Sequence, residues 1–88
     1  MKCVMREIQV IAWFGDEGNI TPLKLKLPAE GESEEVAIKI DQVVHKTMER
    51  FAGNTMIVFE CQSMINDVLR RYQVKYEVEK QKWFLYKI

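Results

Sequence analysis

Cysteine, histidine, proline and net charge are all scarce in this chain, and each shortage removes a class of explanation. Cys3 and Cys61 are the only cysteines among 88 residues, too few for the disulfide framework that staples small secreted domains. His45 is the only histidine. A four-ligand zinc site would therefore have to gather Cys3, Cys61, His45 and a carboxylate from across the fold, and no metal or cofactor is expected. The 13 basic and 13 acidic residues cancel, so overall charge makes no case for nucleic acid or an anionic membrane. Only Pro22 and Pro28 interrupt the backbone. No apolar run approaches the ~20 residues of a membrane span, and none near Lys2 and Arg6 reads as a signal peptide. A reducing cytoplasm and no membrane partner are the expectation. At this length one domain spanning 1–88 is expected, burying a little over ~60% of its unfolded surface.

What is present is alternation. With Asn66-Asp67 as a two-residue turn whose central residues both take φ > 0, Ile65 faces Val68, Cys61 faces Tyr72, Phe59 faces Val74 and Ile57 faces Tyr76. Side chains repeat every two residues along a strand, so all these pairs fall on one side. The other side collects Val58 with Lys75, Glu60 with Gln73 and Gln62 with Arg71, and Lys75 is expected in solvent. A slip of one residue would scramble the sorting. The register predicts arms at 55–65 and 68–78, with Cys61 as a buried, inert thiol.

The remaining strands are read the same way. Residues 7–14 are apolar on both faces, Ile8, Val10, Ala12 and Phe14 on one and Ile11 and Trp13 on the other; such a strand is expected to be covered on both sides. Residues 1–5 read as a loose lead-in, and 15–19 as a turn. In 20–27, Leu23, Leu25 and Leu27 oppose Lys24 and Lys26, with Pro22 at an edge or strand start. Residues 28–34 read as a solvated acidic loop. A long strand is favoured from 35 to about 46, followed by an irregular segment. The spacing of Ile40, Val43, Val44, Thr47, Met48 and Phe51 also fits a short helix near 41–52, capped by Asp41 and stopped by Gly53; the β-branched residues oppose it. Residues 79–82 make a charged turn. Pairing Val78 with Trp83 then puts Tyr76 opposite Leu85 and leaves Phe84, Tyr86 and Ile88 facing out.

Acidic neighbours such as Asp16-Glu17 and Glu34-Glu35 lie in turns, and nothing places two carboxylates in a shared apolar pocket. No phosphate loop or nucleophile elbow is present. Enzymatic activity is not expected. Two surfaces carry a functional expectation instead. The first is an outer apolar face of Val58, Phe84, Tyr86 and Ile88, joined by the second face of 7–14; it predicts contact with another protein or a second copy. The second is the C-terminal stretch 69–88, with six bases against two acids and interleaved aromatics. Arg70, Arg71, Lys75, Lys80 and Lys82 would contact phosphates if single-stranded nucleic acid stacked on Phe84 or Tyr86.

Three stretches add a resemblance: Ala52-Gly53-Asn54-x-Met56, Val58-Phe59-x-Cys61-Gln62-Ser63, and Lys75-Tyr76-Glu77 leading to Lys82-Trp83-x-Leu85-x-Lys87-Ile88. The chain resembles a group of short bacterial all-β proteins with no assigned activity, over its C-terminal half and more weakly around Pro22-Leu23. The resemblance implies an all-β fold in a bacterial cytoplasm and carries over no catalytic residue. The expected fold is a small antiparallel barrel or strongly bent sheet of about six strands. Its expected function is a non-enzymatic binding module making protein contacts, self-association included, with nucleic acid as the alternative.

Overall fold

The computed structural model describes residues 2–27 and 35–88. It is an all-β structure, with strands β1 (Cys3–Phe14), β2 (Ile20–Leu27), β3 (Val36–Lys39), β4 (Gln42–Phe51), β5 (Asn54–Ile65), β6 (Val68–Glu77) and β7 (Lys82–Lys87). One 3-10 turn, Asp16–Gly18, joins β1 to β2. The strands form one antiparallel sheet in the order β3-β2-β1-β7-β6-β5-β4, curled so that one apolar face is enclosed. The lead-in expected at 1–5 is corrected, because β1 already begins at Cys3. The acidic loop expected at 28–34 lies outside the described residues.

The hairpin has the expected register: Ile65 pairs with Val68, Cys61 with Tyr72, Phe59 with Val74 and Ile57 with Tyr76. Asn66 (φ 49) and Asp67 (φ 62) are both left-handed, the geometry that matches a tight turn to the twist of its strands. The enclosed face of β5 and β6 meets Trp83 and Leu85 of β7, Ile8 of β1, Leu25 of β2 and Ile38 of β3 in one core. Phe59 and Trp83 rings lie 5.6 Å apart, and Tyr76 and Trp83 rings 4.7 Å apart.

Seven strands appear where six were expected, because the strand expected over 35–46 is bent in two. Ile40 donates its amide to the Leu23 carbonyl at 2.9 Å, and the next residue, Asp41, donates to Gln62 at 3.1 Å. Within one residue the chain changes partner from β2 to β5. No helix forms near 41–52; β4 pairs with β5 from Gln42 to Phe51. The β-branched residues favour the extended state, and Ala52 (φ 51) and Gly53 (φ 79) form a second tight two-residue turn instead of a helix stop.

The corner is pinned by side chains. Ser63 Oγ donates to the Lys39 carbonyl at 2.7 Å and is bonded to the Tyr72 hydroxyl. Asp41 accepts the Met64 amide at 2.8 Å. Here β3 lies against the end of β5 without a backbone ladder.

Two further registers differ from expectation. Tyr76 pairs with Trp83 and Val74 with Leu85, a slip of two from the expected pairing, because the connection spans 78–81 with Gln81 at φ 56. A slip of two preserves the faces. In β2, the register shifts between Ile11 and Ala12. Pro22 thereby takes the fully buried position opposite Ala12, and Leu23 is left exposed. Pro22 sits outside the Lys24–Leu27 ladder to β3, where its missing amide costs nothing.

Candidate interaction surfaces

The outer face expected to hold a partner is largely occupied by the protein itself. Val58 is only 6% exposed, lying between Thr47 of β4 and Lys75 of β6. Lys75, expected in solvent, is 7% exposed. Its ammonium sits 3.0 Å from Glu49 and 3.6 Å from the centre of the Tyr86 ring. The aliphatic stem thus lies along the sheet while the charge is shared between a carboxylate and an aromatic face. The Lys87 ammonium lies 5.2 Å from the same ring. Phe84 is half-buried, paired with Lys75 and Glu7.

Ile88 does not belong to this face. A bulge lets Gln73 pair with Lys87 while Val74 pairs with Leu85. The extra residue reverses parity, so Ile88 turns inward and packs against the core. A bulge has this effect on every side chain beyond it.

The basic residues are divided between faces and partners. Arg70 pairs with Ser63 and Arg71 with Gln62, so the two arginines project from opposite faces. Arg71 is held by Gln62 at 3.2 Å. Lys80 lies in the far turn, and Lys82 pairs with Glu7 at 3.3 Å. Lys75 is committed to Glu49. Among the aromatics, Tyr72, Tyr76 and Trp83 are buried, and the Tyr86 face is taken by lysine. A track for single-stranded nucleic acid needs bases and open rings along one path; here Arg70 and Arg71 leave opposite faces and Lys75 covers the Tyr86 ring.

Reactive side chains are likewise separated. No group of three or more His, Cys, Asp or Glu able to hold a metal occurs among the described residues. His45 is exposed on β4 opposite Glu60. Cys61 is fully buried, and burial pushes its thiol from 9.0 up to about 12, away from the thiolate that a nucleophile needs. Burial also raises Tyr72 from 10.0 to about 12, opposed by its bond to Ser63. Cys3 is exposed and free.

Exposed apolar side chains lie elsewhere: Met64, Val68 and Leu69 at the tip of the β5–β6 hairpin, Met48 on β4, and Ile11 and Trp13 on the outer side of β1. The β1–β7 ladder ends at the Ile8–Trp83 pair, while β1 runs on to Phe14 paired with β2 alone. On this arm Ile11 is 63% and Trp13 66% exposed. Covering on both faces, as expected for 7–14, occurs on the inner face only. Phe14 sets its ring edge-on to Tyr76 at 6.1 Å but remains 57% exposed at the end of the strand. A groove runs beside Ile11 between Gln9, Lys24, Lys26 and Ala37. The two apolar faces of 7–14 were visible as alternation; that one stays bare depends on where β7 stops, which no local pattern encodes.

A further surface is an edge. β4 is paired to β5 on one side and ends the sheet on the other. Its side chains from Val44 to Arg50 are all exposed.

Comparison with known proteins adds no assignment. No protein-family model matches the chain, and no curated protein or solved structure does either. No helix among the described residues is long and apolar enough to cross a membrane.

Proposed function

We propose that this chain is a non-catalytic binding module that makes protein–protein contacts through the outer face of the β1 arm. The observation that carries the reading is the exposure of Ile11 and Trp13 on a regular strand. Tryptophan is among the residue types most enriched at the anchors of protein interfaces, and Ile11 and Trp13 stand two residues apart on one face of the strand. Lys24 stands directly opposite Ile11, and Lys26 lies further along the same groove. A partner with an apolar anchor and acidic flanks suits that border. The two free cysteines, one exposed, fit a reducing cytoplasm, and the bacterial setting rests on the resemblance alone.

The experiment compares partners retained by the wild type with those retained by Ile11→Lys and Trp13→Ser. Both positions are exposed, so folding, followed by circular dichroism, should survive. Loss of a retained protein in both variants supports the reading. Equal retention by all three chains refutes it.

A further inference from the structure

We infer that β4 is a self-pairing edge, through which two copies of the chain join their sheets antiparallel about a two-fold axis at Thr47. The inference stands apart from the β1 reading, since β4 is an edge strand separated from β1 by β7, β6 and β5.

The direction of the main-chain groups follows from the hairpin. Ala52-Gly53 is a two-residue turn, and Phe51 and Asn54 flank it as partners. In such a hairpin the flanking pair exchanges both hydrogen bonds, and bonded and non-bonded pairs then alternate. The pairing is unbroken from Phe51 back to His45. Phe51, Glu49 and Thr47 therefore turn their amides toward β5, and Arg50, Met48 and Lys46 present theirs to the open side.

Exposed edges are commonly defended by charge, and β4 carries Lys46, Glu49 and Arg50. These charges do not forbid pairing; they choose its register. Opposite residues in an antiparallel pair share a face, so a two-fold axis must pass through one residue of each copy. An axis at Lys46, Glu49 or Arg50 sets a charge against itself. An axis at Met48 sets Lys46 against Arg50 twice, and one at His45 runs across the bulge between Val43 and His45. The Thr47 axis alone among these avoids both faults.

In that register Thr47 meets Thr47, a favoured cross-strand pair. Lys46 and Met48 of one copy exchange main-chain hydrogen bonds with Met48 and Lys46 of the other. Met48, 67% exposed in the single chain, lies along the stem of the opposing Lys46. His45 stands opposite Glu49 on both sides of the axis. Glu49 gives one oxygen to Lys75, yet half of its side chain remains open. Like charges on the edge thus act against the alignments centred on Lys46, Met48, Glu49 and Arg50, as selectivity in strand pairing requires.

The test is sedimentation equilibrium over a concentration series, with hydrogen exchange at single amides. The wild type should dimerise at or below ~100 μM, a modest affinity for one shared strand pair. Protection of the Lys46 and Met48 amides should rise with concentration while that of Thr47 does not change. Met48→Pro removes an outward amide and should give a folded monomer. His45→Glu should raise the dissociation constant about five- to tenfold through two like-charge pairs, and His45→Lys should lower it. Trp13→Ser should leave the dimer unchanged. A wild type monomeric at ~100 μM overturns the inference and leaves the β1 reading untouched. So does a dimer indifferent to both His45 changes, which also serves if Met48→Pro fails to fold. A dimer lost with Trp13→Ser would move self-association to β1.

Discussion

Replacing Ser63 by alanine should loosen the corner where the sheet curls back on itself, and the size of the effect can be worked from three groups. Ser63 is fully buried. Its single hydroxyl proton goes to the Lys39 carbonyl, so the Tyr72 hydroxyl must donate to Ser63. Each such bond contributes about 1 kcal/mol net, and a buried polar group left without a partner costs about 1–3 kcal/mol. Ser63→Ala removes both bonds and strands the hydroxyl of Tyr72, which is itself buried; the expected loss is about 2–4 kcal/mol. Tyr72→Phe removes one bond and leaves Ser63 free to donate to Lys39, for a loss of about 1 kcal/mol. The double variant no longer strands a hydroxyl. It loses only the two bonds, about 2 kcal/mol, so it should cost no more than Ser63→Ala alone and the two single losses should overshoot it by about 1–3 kcal/mol. Urea unfolding of the four chains at equal m-value measures this. Strict additivity, or a Ser63→Ala loss below ~0.5 kcal/mol, would refute the account of the corner.

Other outcomes follow from neighbouring features. Lys75→Ala should cost about 1–2 kcal/mol by urea unfolding, since the side chain is buried over Tyr86 and paired with Glu49; a solvated lysine would cost nothing measurable. Phe59→Ala, at the centre of the core, should cost about 3–5 kcal/mol. Ala52 sits at φ 51, where a Cβ is strained, so Ala52→Asn should raise stability by about 0.5–1 kcal/mol on thermal unfolding. Native protein should react with an aqueous thiol reagent at Cys3 quickly and at Cys61 only after denaturant is added. Cys61 and Tyr72 both have raised values in the fold, so the stability they contribute is whole below 9.0 and 10.0 respectively and is lost as pH climbs toward about 12. The Cys61→Ala variant should show a shallower decline from pH 9 upward; an unchanged slope would remove Cys61 from that account.

The β5–β6 hairpin was legible because everything that fixes it is local: a turn that needs two left-handed residues and fourteen side chains that sort by period two. The sharp change of partner at Ile40-Asp41 was not legible, since neither residue is a glycine or proline and the pinning groups, Ser63 and Tyr72, come from far along the chain. The helical spacing within 41–52 was a coincidence of the bulge at Val44 with the true two-residue repeat. In β7 a connection one residue earlier than expected moved the register by two without disturbing the faces, whereas the bulge near Tyr86 moved Ile88 from the outside to the core. The surface assignment suffered most. Which of two apolar faces stays open is decided by the extent of neighbouring strands, and a lysine reads as solvated whether or not an aromatic ring waits beside it.

The strand order also carries a consequence for how the chain reaches this state. β4 through β7 form a meander of sequential neighbours, and β1 through β3 form another. Each can assemble by closing short loops. The ladder between β1 and β7 is different, since it unites Cys3 with Lys87 and Ile8 with Trp83, and the entropy of closing so long a loop must be met before any of those bonds can form. The β5–β6 ribbon, with its local turn, is then the expected nucleus, and the joining of the two meanders is the slow event. Until it happens, Trp83 and Leu85 have lost their β1 neighbours and the core stands open along one side. The time spent in that half-closed condition, more than the stability of the finished sheet, sets how exposed the chain is to association with other unfinished copies.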